Sequence, residues 1–273
     1  MPKSKVRALQ FRHLIMDINL LCLSIGNTRV AVGAFVAGSL ESVRRVPVDD
    51  RAAVAAAVAE MWALMAGQPD PAIAGASVNA PAIEPIEHMA AQASGSRVQW
   101  VGRDLDLPIR VLTDNPQETG VDRVLNIAAA YEQLGKACVV VDAGTAITID
   151  CCNDAGEFVG GAIAPGVAMM LDALHEKTAR LPRVQAAIPD DSPFGRNTTQ
   201  AILHGVYQGV RGMVRQIVEN YACALTTWPD VIATGGDAEL LFKDWDVIHA
   251  VAPDLTLYGI ALAYANHHIK HGT

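Results

Sequence analysis

Two stretches of this chain follow one pattern, and that repetition limits the folds open to it. LLCLSIGNTRVAVGAF (Leu20–Phe35) and VVVDAGTAITIDCC (Val139–Cys152) each begin with an apolar run, pass through a small turn containing glycine, and return in strand-like composition. Apolar runs of this length bounded by Gly, Asn and Thr read as strand, tight turn, strand. Aligning Gly26 on Gly144 sets Ser24 against Asp142 and Asn27 against Thr145. Helical patterns follow each copy, so the expected architecture is α/β with a duplicated lobe and a cleft between the copies. The chain is divided accordingly into an N-terminal extension (1–18), a first lobe (19–118) and a second lobe (119–273). No low-complexity linker separates the lobes.

The rest of the pattern fills in around these hairpins. Helices are expected at 52–65, 83–93, 121–134, 167–178, 198–221 and 257–268. Further strands are expected at 72–77, 98–101, 109–112, 158–163 and 231–233, with a hairpin turn at Asn153–Gly156. With 273 residues, 51% hydrophobic and 18% charged, the chain can bury a substantial core. The formal net charge of −8 argues against bulk binding to nucleic acid or an anionic membrane. No apolar run is long enough to span a bilayer, and a cytoplasmic protein is expected. The basic stretch Met1–Met16 lacks the long apolar segment of a secretory signal and reads as an extension ahead of the first strand. Five cysteines without metal-ligand spacing read as small apolar residues in a reducing compartment. The histidines His267, His268 and His271 read as an exposed chain end.

The turns suggest chemistry. A glycine where a phosphate approaches removes an obstructing side chain, while turn N–H groups and a Thr hydroxyl can bond phosphate oxygens. An Asp at the strand end can hold a cation or its water shell. Val231–Ala233 runs into Gly235–Gly236, a second glycine turn that could lie under a nucleoside. Gly120-Val121-Asp122-Arg123 opens a helix just ahead of the second hairpin. Asp122 there is either an N-terminal cap and dipole partner or a general base, with Arg123 holding an anionic group. The residues by themselves leave both readings open.

GVDRVLNIAAAYEQLGKACVVVDAGTAITID, GEFVGGAIAPGVAMMLDALHEKTARLP, FGRNT, VIATGG and DLTLYGIALA, with SIGNTRVAVG and ASVNAP upstream, resemble the type III pantothenate kinase family from about Asn19 to Ala265. The resemblance implies an actin-like ATPase fold of duplicated ribonuclease-H-like lobes. It implies transfer of the γ-phosphoryl group of ATP to pantothenate, giving 4′-phosphopantothenate, the entry step to coenzyme A. It assigns Asp122 as proton acceptor and Gly120, Val121, Asp122, Arg123, Thr113 and Thr198 as substrate contacts. ATP would meet Ser24, Gly26, Asn27, Thr28, Gly144, Thr145, Gly235 and Gly236. Asp142 would hold a monovalent cation (K+ or NH4+), Mg2+ would accompany ATP, and the protein would be a homodimer.

Two positions depart from the family pattern. Ser24 stands where the first hairpin carries a metal-handling Asp, and a hydroxyl is a weak ligand for a hard dication. Thr113 stands where a substrate-contacting Tyr is usual. These departures motivate two further expectations: a catalytically impaired paralogue acting as a binding or regulatory protein, or a kinase for another small hydroxy acid.

Overall fold

The computed structural model describes residues 17–271, so most of the extension at 1–18 lies outside the described residues. The chain forms two compact units, each built on a five-stranded mixed sheet. One takes the described residues up to Gln133 together with those from Leu255 onward; the other is continuous, Leu134–Asp254. The boundary at 119 marks where the second sequence block opens; by compactness, the first and last helices of that block group with the first sheet.

The first sheet has the order β3-β2-β1-β4-β5. Its strands are β1 (Leu20–Ile25), β2 (Arg29–Val36), β3 (Ser39–Pro47), β4 (Ala72–Ser77) and β5 (Val98–Trp100). β1 runs antiparallel to β2 and parallel to β4. Both faces of β1 are covered, which is why it reads as an unbroken apolar run. Leu21, Leu23 and Ile25 pack with Val54, Val58 and Met61 of α1 (Arg51–Ala63) and Ile86 and Ala90 of α2 (Ala80–Ser94). Leu20 and Cys22 face the other way, into a cluster with Leu125 of α3 (Val121–Leu134) and Leu257, Ile260 and Ala261 of α7 (Leu255–His271). α1 starts at Asp50, whose carboxylate accepts from the Ala53 N–H at 3.0 Å. α2 ends at Gly95 in the left-handed region (φ 71°), where only glycine turns without strain.

α3 and α7 approach closely because Gly259 has no side chain: a Cβ there would lie 2.4 Å from the Leu125 carbonyl oxygen. Beside that contact the Thr256 hydroxyl donates to Asn126 Oδ1 at 2.7 Å, giving the buried Asn126 a partner.

The second sheet, β10-β9-β6-β7-β8, repeats the first strand for strand. Its members are β6 (Cys138–Ala143), β7 (Ala146–Cys152), β8 (Phe158–Pro165), β9 (Asp230–Thr234) and β10 (Ala250–Val251). β6 pairs antiparallel with β7 and parallel with β9, as β1 does with β2 and β4. Val139, Val141 and Ala143 meet α5 (Thr198–Leu225), which supplies Val206, Val210, Val214 and Val218, one per turn. α4 (Val167–Glu176) and α6 (Ala238–Phe242) complete this face with Leu171, Leu241 and Phe242.

Residues 109–112, read as a strand, join no ladder; Val111 forms a lone bridge, after Pro108 and before the 3-10 turn Pro116–Glu118. β3 was missed because it is a polar edge strand carrying Arg44 and Arg45, with no apolar run to reveal it. The five cysteines are free thiols. Burial holds the Cys151 thiol up to about 12, in keeping with a packing role.

Two glycines should respond with opposite signs. Alanine is favoured over glycine in a helix by up to about 1 kcal/mol, and Gly209 of α5 has nothing within 4 Å of a would-be Cβ, so Gly209→Ala should stabilise. At Gly259 overpacking costs about 1–3 kcal/mol and exceeds that gain, so Gly259→Ala should destabilise. Urea unfolding midpoints of the two variants decide the matter.

Candidate active site

The repeated topology places Ser24 and Asp142 at equivalent strand positions. Ser24 is flanked by Ala31 and Ala76 in register, whereas Asp142 is flanked by Thr148 and Thr234. Each unit therefore presents its own set of residues.

In the first unit, Ser24 continues the β1 face of Leu20 and Cys22 and is partly buried. β1 then enters the turn Gly26-Asn27-Thr28, closed by the Gly26 N–H donating to the Arg29 carbonyl at 2.9 Å. A Cβ at Gly26 would stand 3.2 Å from that carbonyl. The turn is braced by the Val48 N–H on the Thr28 carbonyl (3.0 Å) and by the Asn79 side-chain amide on the Gly26 carbonyl (3.4 Å). Asn27 and Thr28 remain exposed. The turn thus offers backbone and hydroxyl groups from a braced frame, as an anion-binding turn must.

The same unit carries Gly120, Val121, Asp122 and Arg123 at the start of α3. Val121 packs against the cluster that holds Cys22 and Ala76, so α3 begins on the Ser24 face of the sheet. The Asp122 carboxylate accepts from the Arg123 backbone N–H at 2.8 Å. Gly120 makes room for it, since a Cβ there would fall 2.8 Å from Asp122 Oδ1. Burial pushes the Asp122 carboxyl up, the Arg123 N–H and guanidinium pull it back, and the net displacement is upward. Such a carboxylate binds protons more readily than an exposed one, which suits a general base. Thr113 lies ahead of α3, its hydroxyl 2.9 Å from that of Thr119.

In the second unit, Asp142, Gly144 and Gly235 come together. A Cβ on Gly235 would lie 2.4 Å from Asp142 Oδ1 and 2.4 Å from the Ala143 carbonyl, and one on Gly144 3.6 Å from Asp142 Oδ1. Gly235 has φ +93°, and the Asp237 N–H donates to the Ala143 carbonyl at 2.9 Å, docking the β9–α6 turn onto the end of β6. Thr145, Gly235 and Gly236 are exposed at this edge. Gly166, before α4, donates its N–H to the Thr145 carbonyl at 3.1 Å, and its would-be Cβ meets the Gly144 carbonyl at 2.3 Å. Sequence reading passed over Gly166: Pro165-Gly166 signals a turn, but what the turn packs on is not written locally. Thr198 opens α5, exposed, directly after its N-cap Asn197. Among the described residues, no group of three or more His, Cys, Asp or Glu is placed to hold a metal ion.

The family model for type III pantothenate kinase matches residues 20–220. A type III pantothenate kinase of Dehalococcoides mccartyi (strain CBDB1) is 34% identical over 251 residues, covering 90% of this chain and 95% of the relative. Among solved structures, the activator of the 2-hydroxyisocaproyl-CoA dehydratase from Clostridium difficile with bound ADPNP aligns with a TM-score of 0.56 at 9% identity, covering 93% of this chain and 97% of that one. MreB 5 of Spiroplasma citri bound to AMPPNP aligns at 0.50 and 10% identity, covering 94% and 99%. At such identities these structures speak to the fold, which is the actin-like ATPase fold.

The raised Asp122 carboxyl has a stability consequence. A group whose folded-state pKa is raised stabilises the fold in its protonated form; that contribution is present below the unfolded pKa and lost as pH rises through the folded one. Once ionised, Asp122 is therefore a burden on the fold. Asp122→Asn keeps the acceptor for the Arg123 N–H and removes the charge, so its melting temperature at pH 7 should exceed wild type. The gap should shrink as the pH is lowered toward 4, as read by paired thermal melts.

Proposed function

Because the chain belongs to the type III pantothenate kinase family, we propose that it transfers the γ-phosphoryl group of ATP to the primary hydroxyl of pantothenate, giving 4′-phosphopantothenate and ADP, the first step of coenzyme A biosynthesis. The observation that carries this reading is Asp122: a partly buried carboxylate with its pKa raised, beside Arg123, at a helix start kept open by Gly120.

The roles follow from the chemistry of each group. An alcohol is a poor nucleophile until a base takes its proton, and Asp122 accepts that proton as the hydroxyl oxygen attacks phosphorus. Arg123 offers a fixed, planar cation to the pantothenate carboxylate. Gly120, Val121, Thr113 and Thr198 complete the acceptor contacts. The braced turn Gly26-Asn27-Thr28, the turn Gly144-Thr145 and the exposed pair Gly235–Gly236 receive ATP through N–H and hydroxyl donors. Ser24 contributes a hydroxyl in place of a carboxylate.

Donor chemistry separates the two cations. Asp142 is a carboxylate at the end of β6, near the Ala143 carbonyl and Gly235, and is the residue that would hold K+ or NH4+ and add positive charge beside the phosphates. Among the described residues no group of three or more His, Cys, Asp or Glu makes a magnesium cage, Ser24 is neutral, and Mg2+ belongs to this reading as a companion of ATP. A homodimer, as the family resemblance implies, belongs to this reading. Among the described residues no helix is long and apolar enough to cross a membrane, and a cytoplasmic setting suits the reaction.

Removing a positioned base costs about 10²–10⁴ in rate. A coupled ADP-release assay with ATP, pantothenate, magnesium and potassium should therefore show wild-type turnover and a kcat lower by that factor in Asp122→Asn. Wild-type kcat should fall on the acid side as Asp122 takes up a proton, at a pH above the usual carboxylate range near 3.9. Absence of pantothenate-dependent ADP release, or turnover indifferent to Asp122→Asn, would overturn the assignment. In the same assay Ser24→Asp should lower the magnesium concentration needed for half-maximal rate.

A further inference from the structure

Residues 177–197, between α4 and α5, belong to no helix or strand and are largely exposed. Ordering such a segment costs about 1–2 kcal/mol per residue in backbone entropy, yet its second half is tied down bond by bond. The Asp190 N–H donates to Gln200 Oε1 at 3.0 Å. His204 Nε2 lies 3.2 Å from Asp190 Oδ1, and the Ser192 N–H donates to the same oxygen at 3.2 Å. The Ser192 hydroxyl donates to the Phe194 carbonyl at 2.9 Å, and Asn197 caps α5 through the Gln200 N–H at 2.9 Å. Gly195 closes the loop, for its would-be Cβ would lie 2.4 Å from Ala201 N.

Gln200 and His204 are four residues apart, so both project from one face of α5. Both stand within the first two turns of the helix that Thr198 opens. The His204 side chain is 17% exposed and that of Asp190 48%, so the contact is partly shielded from water. Asp190 is the knot: its backbone and side chain join Gln200, His204 and Ser192, and the chain from there to Asn197 is folded against the first turns of α5.

We propose that Asp190 is a positioning residue for the acceptor site, gripped by Gln200 and His204 so that the loop 191–197 and Thr198 meet pantothenate in one geometry. This rests on the kinase reading above, in which Thr198 touches the acceptor. The latch acts on pantothenate and not on ATP, because all of its bonds gather at the start of α5. A latch that only stabilised the fold would not discriminate between the two substrates.

The test uses the full chain and measures pantothenate binding by calorimetry in the presence of ADP, together with KM for each substrate and kcat. Losing one hydrogen bond to a charged group corresponds to about a tenfold change. Asp190→Ala and His204→Ala should each raise Kd and KM for pantothenate about tenfold while leaving KM for ATP and kcat close to wild type. Asp190→Asn retains an acceptor and His204→Gln retains a donor, so both should bind nearly as wild type does. Thermal melts accompany each variant, and His204→Ala decides alone if Asp190→Ala fails to fold. Alanine variants that bind pantothenate like wild type, or that lose ATP affinity and kcat in the same proportion, overturn the latch while the kinase reading stands. A wild-type protein that neither binds nor phosphorylates pantothenate overturns the kinase reading and the latch with it.

Discussion

Backbone packed directly on backbone is the constraint on which the β6–β7 end of the second sheet depends. Gly166 and Gly235 bring two separate chain segments against the β6–β7 turn at distances no side chain would tolerate. Each close approach comes with a hydrogen bond to the turn, from the Gly166 N–H to the Thr145 carbonyl and from the Asp237 N–H to the Ala143 carbonyl. The turn is thereby held by elements that follow it in sequence, and its exposed edge is left to Thr145 and the Asp142 carboxylate. The first hairpin reaches a similar end by lighter means, a backbone bond from Val48 just past β3 and a single amide from Asn79.

Asp122 shows why a site of this kind sits uneasily in its fold. The burial that raises its affinity for a proton also taxes the folded state whenever the carboxyl is ionised. Gly120 permits the arrangement by leaving room beside Oδ1, and the Arg123 N–H offsets part of the strain by holding one oxygen. Burial and ionisation pull on the same carboxylate in opposite directions.

Much of this was legible in the chain. Leu20–Ile25 and Cys138–Ala143 are central strands covered on both faces, so their unbroken apolar runs announced them, and the glycine turns that follow announced the hairpins. Periodicity left Asp122 open between a cap and a base, and the family resemblance is what motivates proposing the second. What escaped notice was of two kinds. β3 is an edge strand with polar faces, and polar edges carry no hydrophobic period. Gly166, Gly259 and the Asp190–His204 contact owe their meaning to partners far along the chain, and a glycine or an aspartate looks the same locally whichever partner it has. Ile109–Leu112 failed for the reverse reason: apolar composition suggested a strand where no neighbouring strand offers a ladder.

The contact of Gly259 with Leu125 has a consequence in time. α7 belongs to the unit built around the first sheet, yet the ribosome delivers it only after the whole of Leu134–Asp254. The continuous unit, about 120 residues long, is synthesised in between. At about 5–20 residues per second the unit begun first waits ~6–24 s, its α7-facing surface of Leu20, Cys22 and Leu125 uncovered, before its final helix arrives. The unit begun second can close first, so the order of completion reverses the order of synthesis.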